Sequence, residues 1–325
     1  LASFLAMKDN PVDSRTIVVL DEAGVVPTRQ MEQAMRLIDR RGARMVMLGD
    51  IQQTKAIEAG RPFAQLQAKG MQTAVMDEIQ RQKDPTLKKA VELAAKGEVA
   101  ASLSNIREIQ SIKDMDDRHA RIVADYMALD EKERHSTLVV SGTNEARKNL
   151  NSQMRVALQL EGKGQQVDTL HRVDLTQAQR RHAPSYKIND VISPERDYQS
   201  VHLERNKLYR VTDVLAQNQL RLQADDGGER LIDPRKLTHL SVYRREKTEM
   251  AVGDWVRITR NNPSLDVANG DRLRVASVEN ERIVLQSGAD EKSRQVEFST
   301  AAPLHMEHAY ATTVHSAQGL TSNRV

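Results

Sequence analysis

Two short apolar runs, separated by one amphipathic stretch, constrain the start of this chain more than any other feature. The runs are Ile17–Leu20 and Met45–Leu48, and polar residues follow each of them. Between them, apolar residues recur at helical spacing from Thr28 to Arg41, and Gly42 supplies a stop signal. Strand, helix and strand in this order predict a parallel crossover with strands buried on both faces. Its ligand-binding edge is expected at the carboxyl ends of the strands.

A second α/β segment follows the first. A helix that begins at Asp84 and Pro85 and another helix over about 117–129 are predicted from their caps and apolar spacing. The short apolar run Thr137–Val140 then predicts a buried strand, and Asn144 opens a further amphipathic helix. We therefore expect a second α/β core.

Between about Leu203 and Ser299 the chain changes to short alternating runs. Turn signals at Asp226-Gly227-Gly228, Asn269-Gly270 and Ser287-Gly288 separate several of them. The predicted strands are Leu208–Val214, Leu220–Gln223, Arg230–Ile232, Asp254–Thr259, Leu273–Val278, Ile283–Gln286 and Val296–Phe298. This pattern predicts a small antiparallel β-barrel, after which the apolar run Ala309–Val314 returns the chain to an α/β core.

Composition excludes several classes of protein. The 325 residues carry 48 Lys and Arg against 45 Asp and Glu, and the net charge of +3 is too small for a wholly basic nucleic-acid surface. Cysteine is absent, which excludes disulfides and agrees with a reducing cytoplasm. Since no apolar stretch approaches the roughly 20 residues that span a bilayer, we expect no membrane insertion. Aromatic residues are 3% of the chain, which favours contacts to phosphates over stacked bases.

The two ends of the chain look internal. The first residue is Leu1 rather than Met, and Val325 follows loop-like residues. We therefore expect an excised piece of a longer protein, long enough for two packed cores and a small extra module.

Asp21 and Glu22, directly after the first strand, meet the needs of nucleoside triphosphate hydrolysis. Asp21 would hold Mg²⁺ through water, because this ion sheds its hydration shell reluctantly. Glu22 would orient or deprotonate the attacking water. The alternative is a pair of acids that favour the positive end of the next helix.

Gly49, Asp50 and Gln53 follow the second strand, at the same edge of the predicted sheet. A glutamine there bonds both the terminal phosphate and the attacking water without adding charge, so Gln53 is the candidate phosphate sensor. The alternative is a Gly-Asp turn followed by solvated glutamines. Two polar segments at one sheet edge favour a nucleotide site over this alternative.

These residues resemble a known family. Asp21-Glu-Ala-Gly24 followed by Gly49-Asp-x-x-Gln53 looks like motifs II and III of superfamily 1 helicases. The longer stretch from Gly49 to Phe63 is similar to the RecD-like helicase domain of conjugative relaxase–helicases of the TraI/TrwC type, and the resemblance extends over essentially the whole chain. It implies an α/β fold of two RecA-like parallel-sheet cores, the first incomplete, with an inserted small SH3-like β-barrel. The implied domains are the first core at 1–75, the second core at 76–200, the barrel at 201–300 and a return to the second core at 301–325.

The resemblance also implies a cross-cleft arginine. The segment from Glu78 to Gln82 looks like motif IV, in which the family's arginine reaches the γ-phosphate of ATP. Arg81 takes that role here, and a guanidinium suits the charge that spreads over the phosphate oxygens. Without this context, Arg81 would be interpreted as a solvated arginine ahead of the Asp84 cap.

The segment Ala311–Gly319 resembles motif V, which couples the nucleotide to the DNA strand. A glycine-containing loop at the end of a strand offers backbone and hydroxyl donors that hold phosphates without sequence preference. A lone His-Ser pair would otherwise be a surface turn. The implied DNA contacts are Thr313, His315 and Ser316, and the implied nucleotide contacts are Gln318 and Gly319.

Two further segments are candidates for DNA binding. The stretch from Gly253 to Asn261 looks like the family's inserted barrel, called 2B, whose implied role is to guide single-stranded DNA over the second core. Trp255 is predicted to be barrel core rather than a platform for base stacking. Thr143 and Asn144, together with Arg147, are predicted to contact the backbone of the DNA strand. The candidate phosphate contacts in the barrel segment are Arg257, Thr259, Arg260 and Asn261.

Several motifs of the family are not among these 325 residues. They are the Gly-x-x-x-x-Gly-Lys-Thr phosphate loop, the arginine of motif VI, and the nucleophile and histidine cluster of a relaxase. We expect the helicase motifs to lie beyond the two ends, and so no ATP hydrolysis by the chain alone.

The favoured interpretation is a DNA helicase that uses ATP and Mg²⁺ and travels 5′-to-3′ on single-stranded DNA. It would be the helicase part of a conjugative relaxase that acts on plasmid DNA in the bacterial cytoplasm, with the relaxosome and a secretion channel as partners. One alternative is a vestigial copy that grips single-stranded DNA without hydrolysis, against which the four intact residues Asp21, Glu22, Gln53 and Arg81 argue. The other is a RecD-type repair or recombination helicase.

Overall fold

The computed structural model describes residues 1–5, 7, 9–52, 60–76, 78–79, 82–237, 239–279, 281–287, 293–317, 320, 322 and 324–325. The chain forms two compact units, Leu1–Ser111 and Ile112–Val325. None of the described helices has the length and apolar character needed to cross a membrane.

The predicted strand, helix and strand are present in the first unit. Its elements are α1 (Ala2–Leu5), β1 (Ile17–Leu20), α2 (Thr28–Arg40), β2 (Arg44–Met47), α3 (Pro62–Ala68), α4 (Pro85–Ala95) and α5 (Val99–Leu103). β1 and β2 are parallel neighbours, with Val18 opposite Met45. The apolar stripe of α2, Met31, Ala34 and Ile38, is buried. The helical spacing in the sequence therefore identified the face that packs.

The expected burial of both faces of this sheet is wrong for the described part of the unit. Ile17 and Val19 of β1 are 52% and 58% exposed, and Val46 of β2 is 46% exposed. Alternate residues of a strand point to opposite faces, and the core cluster around Leu20 and Met31 lies on one of them. An apolar run alone does not reveal whether a second layer covers its other face.

The second unit contains a parallel pair of strands that are far apart in sequence. Its elements are α6 (Met115–Met127), α7 (Glu131–His135), β3 (Val139–Ser141), α8 (Asn144–Ala157), β4 (Gln165–Arg172), α9 (Gln177–Arg180), β5 (Asp190–Pro194), β6 (Tyr209–Leu215), β7 (Gln219–Ala224), β8 (Glu229–Ile232), β9 (Leu240–Met250), β10 (Trp255–Ile258), β11 (Arg272–Glu279), β12 (Arg282–Gln286), β13 (Gln295–Ser299), β14 (Met306–His308), β15 (Ala311–Thr313) and α10 (Val314–Ala317). β3 and β15 pair in parallel, with Val140 opposite Thr312. β15 thus lies beside β3, at the place where the sequence predicts that the chain returns to the α/β core.

The strands between these two are arranged as two antiparallel sheets rather than as one small barrel. The strand orders are β4-β9-β5-β6-β7-β8 and β13-β12-β11-β10-β14, and neither order closes on itself in the described part of the chain. All seven strands predicted between Leu203 and Ser299 are present. The sheets also include β4, β5, β9 and β14, which the sequence did not predict. β4 joins the two sheets, because its other edge exchanges hydrogen bonds with Leu304.

A fully buried carboxylate, that of Asp254, connects the helices of the second unit to its sheets. Asp254 has no exposed surface. It accepts hydrogen bonds from Arg155 Nε at 2.9 Å and Nη2 at 3.0 Å, from the Tyr310 hydroxyl at 2.7 Å and from the backbone N–H of Ala251 at 2.7 Å. Arg155 also contacts Glu249 of β9 at 3.4 Å. α8, β9 and the segments next to β10 and β15 therefore meet at one charged group.

Removing the guanidinium should destabilise this unit strongly. Arg155→Met is expected to lower the free energy of unfolding by about 3–5 kcal/mol, because it leaves the Asp254 charge buried without its cation. The single tryptophan, Trp255, is the next residue, so its fluorescence during urea unfolding measures the change.

The control is Arg282→Met on β12. The Arg282 guanidinium is half exposed and lies 2.7 Å from Glu279, so its loss should cost less than about 1 kcal/mol. Equal losses in the two variants would contradict the role given to Asp254.

Candidate nucleotide and DNA sites

Asp21 and Glu22 lie at the carboxyl end of β1, and Glu22 has an unusual backbone. Its φ and ψ are 52° and 41°, in the left-handed region that residues with a Cβ atom rarely adopt. Its backbone N–H donates to Asp21 Oδ1 at 2.9 Å, which holds the two carboxylates next to each other. Strained backbone of this kind is often found at functional positions.

The segment after β2 packs directly against the segment after β1. The backbone N–H of Ala23 donates to the carbonyl of Leu48 at 2.8 Å, which extends the strand pairing past both strands. A Cβ atom on Gly24 would lie 2.7 Å from the carbonyl oxygen of Asp50, and one on Gly49 would lie 3.0 Å from the backbone nitrogens of Ala23 and Gly24. The two glycines therefore allow Ala23-Gly24, the residues after Asp21-Glu22, to pack against Gly49-Asp50, so the polar segments that follow β1 and β2 lie at one sheet edge.

The two carboxylates suit a hydrated cation. Both side chains are exposed, and neither forms an ion pair with a described residue. Within the described ranges, no three His, Asp or Glu side chains are grouped so that they could hold a metal alone. Mg²⁺ in nucleotide sites keeps several waters and binds one or two carboxylates together with substrate phosphates. The donor set therefore fits Mg²⁺ that arrives with a nucleotide.

Several predicted site residues lie outside the described residues. They are Gln53, Arg81, Gln318 and Gly319, together with the side chain of His315. Their predicted roles remain predictions.

The remaining motif V residues lie beside Thr143 and Asn144. β3 ends at Ser141 and β15 ends at Thr313, which are opposite each other in the parallel register, so the segments that follow leave the same sheet edge. Thr143 caps α8 by accepting from the backbone N–H of Ala146 at 3.1 Å. Thr313 and Ser316 join their hydroxyls at 3.1 Å. The start of α8, with its free N–H groups, and this hydroxyl pair thus share one edge.

The four candidates of the barrel segment differ in their surroundings. Arg257 donates to Glu307 of β14. The Thr259 hydroxyl is buried and has no partner among the described residues. Arg260 is half-buried, and Asn261 is exposed and accepts from the backbone N–H of Asn269 at 2.6 Å. The four neighbouring side chains therefore differ in how accessible they are to a DNA phosphate.

Two interpretations of single residues need correction. Arg147, expected to touch a DNA backbone, is 6% exposed and its side chain lies 2.9 Å from Glu307. Because Glu307 is 160 residues away in sequence, the residues around Arg147 give no signal of this pairing.

Trp255, expected in a barrel core, packs instead against Tyr126 and Met154 of the helical layer, because its strand turns that face toward α6 and α8. It is not an open stacking platform.

The first unit is similar to a known class of domain. Residues 1–117 match a family model described as an AAA domain. This range includes the whole of the first compact unit, and with it the edge formed by Asp21-Glu22 and Gly49-Asp50.

Over nearly its whole length the chain is similar to conjugation proteins. It is 25% identical to the multifunctional conjugation protein TraI of Escherichia coli (strain K12), covering 96% of this chain and 20% of TraI. It is 26% identical to the probable conjugal transfer protein TraA of Sinorhizobium fredii, covering 97% of this chain and 22% of TraA. The chain thus spans about a fifth of the length of these curated relatives. The predicted resemblance to TraI-type conjugation proteins is confirmed.

The chain also matches the solved structure of the Pif1 helicase from Bacteroides in complex with ADP-AlF3 and single-stranded DNA. The two chains are 12% identical, and the match covers 98% of this chain and 64% of Pif1 with a TM-score of 0.35. A second one, Bacteroides Pif1 bound to single-stranded DNA, is 14% identical with a TM-score of 0.33. Scores this low establish no shared fold.

The backbone of Glu22 leads to a stability prediction. Glu22→Gly should make the first unit about 1 kcal/mol more stable than Glu22→Ala, because glycine adopts the left-handed conformation without the cost of a Cβ atom. Native-state hydrogen exchange of the buried amides of α2 measures the difference.

The matched control is Glu32, in the middle of α2. There the glycine variant should be less stable than the alanine variant by about 1 kcal/mol. Equal stability of the two variants at position 22 would show that its backbone carries no strain.

Proposed function

We propose that this chain is the helicase part of a conjugative relaxase. The parent protein hydrolyses ATP to move 5′-to-3′ along single-stranded DNA. The observation that carries the proposal is the backbone contact of Ala23-Gly24, the residues directly after Asp21-Glu22, with the segment from Leu48 to Asp50. Carboxylates at one strand end and a Gly-Asp turn at the next form the hydrolytic half of a nucleotide site.

Each residue of this site has a distinct role in the proposal. Asp21 holds Mg²⁺ through water, and the ion neutralises charge on the nucleotide phosphates. Glu22 orients or deprotonates the attacking water. Its left-handed backbone, whose N–H donates to Asp21 Oδ1, determines the direction in which the Glu22 side chain leaves the backbone. The remaining proposed contacts to ATP are Gly49, Asp50, Gln53, Arg81, Gln318 and Gly319.

The proposed DNA path uses the edge where β3 and β15 end. Backbone N–H groups at the start of α8 and hydroxyls at the start of α10 bind phosphates regardless of base sequence. The DNA strand then continues over the sheet that contains β10. The proposed DNA contacts are Thr143, Asn144, Thr313, His315, Ser316, Thr259, Arg260 and Asn261. Arg257 is not included, because it donates to the buried carboxylate of Glu307.

The biological setting comes from the relatives. TraI and TraA are named as conjugation and conjugal transfer proteins. We extend that setting to this chain, with plasmid DNA as substrate, the relaxosome and a secretion channel as partners and the bacterial cytoplasm as location.

Hydrolysis should depend on the Glu22 carboxylate. In the full-length protein, Glu22→Gln is expected to retain binding of ATP and single-stranded DNA but to lose at least about 100-fold in DNA-stimulated ATP hydrolysis, because the carboxylate acts at the chemical step. Release of inorganic phosphate measures the rate, and Glu32→Gln, on the exposed side of α2, is the control.

Two outcomes would overturn parts of this proposal. Hydrolysis by Glu22→Gln near the parental rate would remove Glu22 from the mechanism. Tight binding of single-stranded DNA by the unaltered protein without any hydrolysis would identify the non-hydrolysing copy instead.

Binding of DNA should depend on the charge at the start of α8. Asn144→Asp preserves the helix, because an acid is favourable in its first turn, but it repels phosphates there. We expect single-stranded DNA to bind at least about threefold more weakly, as measured by fluorescence anisotropy with a labelled oligothymidylate.

The control substitution is Gln177→Glu. Gln177 follows the cap Thr176 at the start of α9 as Asn144 follows Thr143 at the start of α8, so helix and charge change in the same way. Equal weakening by the two variants would place the DNA elsewhere.

A further inference from the structure

Arg260 and Arg257, three residues apart, have opposite electrostatic surroundings. Arg257 donates to the carboxylate of Glu307, which is 7% exposed and also pairs with Arg147 at 2.9 Å. A guanidinium that is held by a buried carboxylate is already engaged in a charge-assisted hydrogen bond, so it is less available to an external anion.

Arg260 is held by neutral acceptors instead. Its Nη1 lies 3.2 Å from His305 Nε2, and its Nη2 donates to Asn206 Oδ1. No carboxylate of the described residues lies within 4.0 Å of this guanidinium. The guanidinium is therefore fixed in direction by two hydrogen bonds while its positive charge stays uncompensated.

The hydrogen bond from Arg260 requires a neutral His305 ring whose Nε2 accepts. Since arginine only donates, Nε2 of His305 must be the acceptor, and the ring proton of the neutral form then resides on Nδ1. Burial, with a smaller contribution from Arg260, lowers the pKa of His305 to about 4. The ring also packs edge-on against Tyr243, with centroids 4.9 Å apart. His305 is thus neutral near pH 7 and fixed in position.

We propose that Arg260 is the phosphate-binding arginine of this segment and that Arg257 is structural. His305 and Asn206 are then positioning residues, which direct the Arg260 guanidinium toward a DNA phosphate. The proposal deepens the DNA-binding part of the proposed function and rests on it. Sequence offers no signal for the two positioning residues, which are 45 and 54 positions away from Arg260.

The salt dependence of binding distinguishes the two arginines. For single-stranded DNA, each phosphate that a cation neutralises contributes about 0.7 to the slope of log K against log salt. Arg260→Gln should reduce this slope by about 0.7 for the chain binding labelled oligothymidylate without nucleotide, whereas Arg257→Gln should leave it unchanged. The same loss for both variants, or none for Arg260→Gln, would overturn the proposal.

Asn206→Asp tests the neutrality of the acceptors. A carboxylate there would hold Arg260 more firmly but neutralise it, so we expect DNA binding to weaken at least about threefold. Asn189→Asp is the matched control, because Asn189 also has positive φ and accepts from an arginine, Arg210 at 3.5 Å. Unchanged or tighter binding by Asn206→Asp would contradict the proposal.

His305 variants separate positioning from stability. His305→Phe should weaken binding while the salt slope is retained, and His305→Gln, which offers an acceptor again, should restore affinity. Urea unfolding followed by Trp255 fluorescence shows whether each variant is folded. Parallel losses of affinity and stability in both variants would give His305 a structural role only. If the unaltered chain does not bind oligothymidylate, the proposed DNA function fails together with this inference.

Discussion

The buried charge of Asp254 is the constraint on which the second unit depends. A carboxylate without solvent contact is tolerable only when cations and donors surround it, and those groups come from α8 and from the segments that flank β10 and β15. α8 is also tied to β15 by Asn151, whose Oδ1 accepts from the backbone N–H of Ala311 at 2.8 Å. The end of α8 that holds Thr143 is therefore placed by contacts made further along the same helix.

The first unit depends instead on two glycines, which have no side chain. Gly24 and Gly49 bring the two strand ends within backbone contact, so Asp21 and Glu22 share one sheet edge with the segment from Gly49 to Asp50. The carboxylates of Asp21 and Glu22 form no ion pair with a described residue, so their charge is available to a ligand, in contrast to the Asp254 and Glu307 carboxylates of the second unit.

Sequence predicted what local patterns determine. The first two strands, α2 and the seven runs beyond Leu203 follow from apolar spacing and turn residues. The same patterns missed β4, β5, β9 and β14. β9 contains the charged stretch Arg244–Lys247 and β14 has only three residues, whereas β5 ends in proline, which favours the edge or end of a strand. Sheet closure, the exposed face of β1 and the partners of Arg147 and Arg257 depend on contacts between distant residues. The approach of the two strand ends at Asp21 and Asp50 was predictable, because parallel strands end at a common edge, whereas the surroundings of Arg260 were not.

The left-handed backbone of Glu22 has a consequence for how this sequence can change over time. Glycine or asparagine would occupy that conformation with less strain, so random substitution in a unit under selection for folding alone would tend to remove the acid. A glutamate persists there only while something other than stability favours it. Among related chains, the residue after the aspartate therefore records whether a copy is still under selection for its carboxylate.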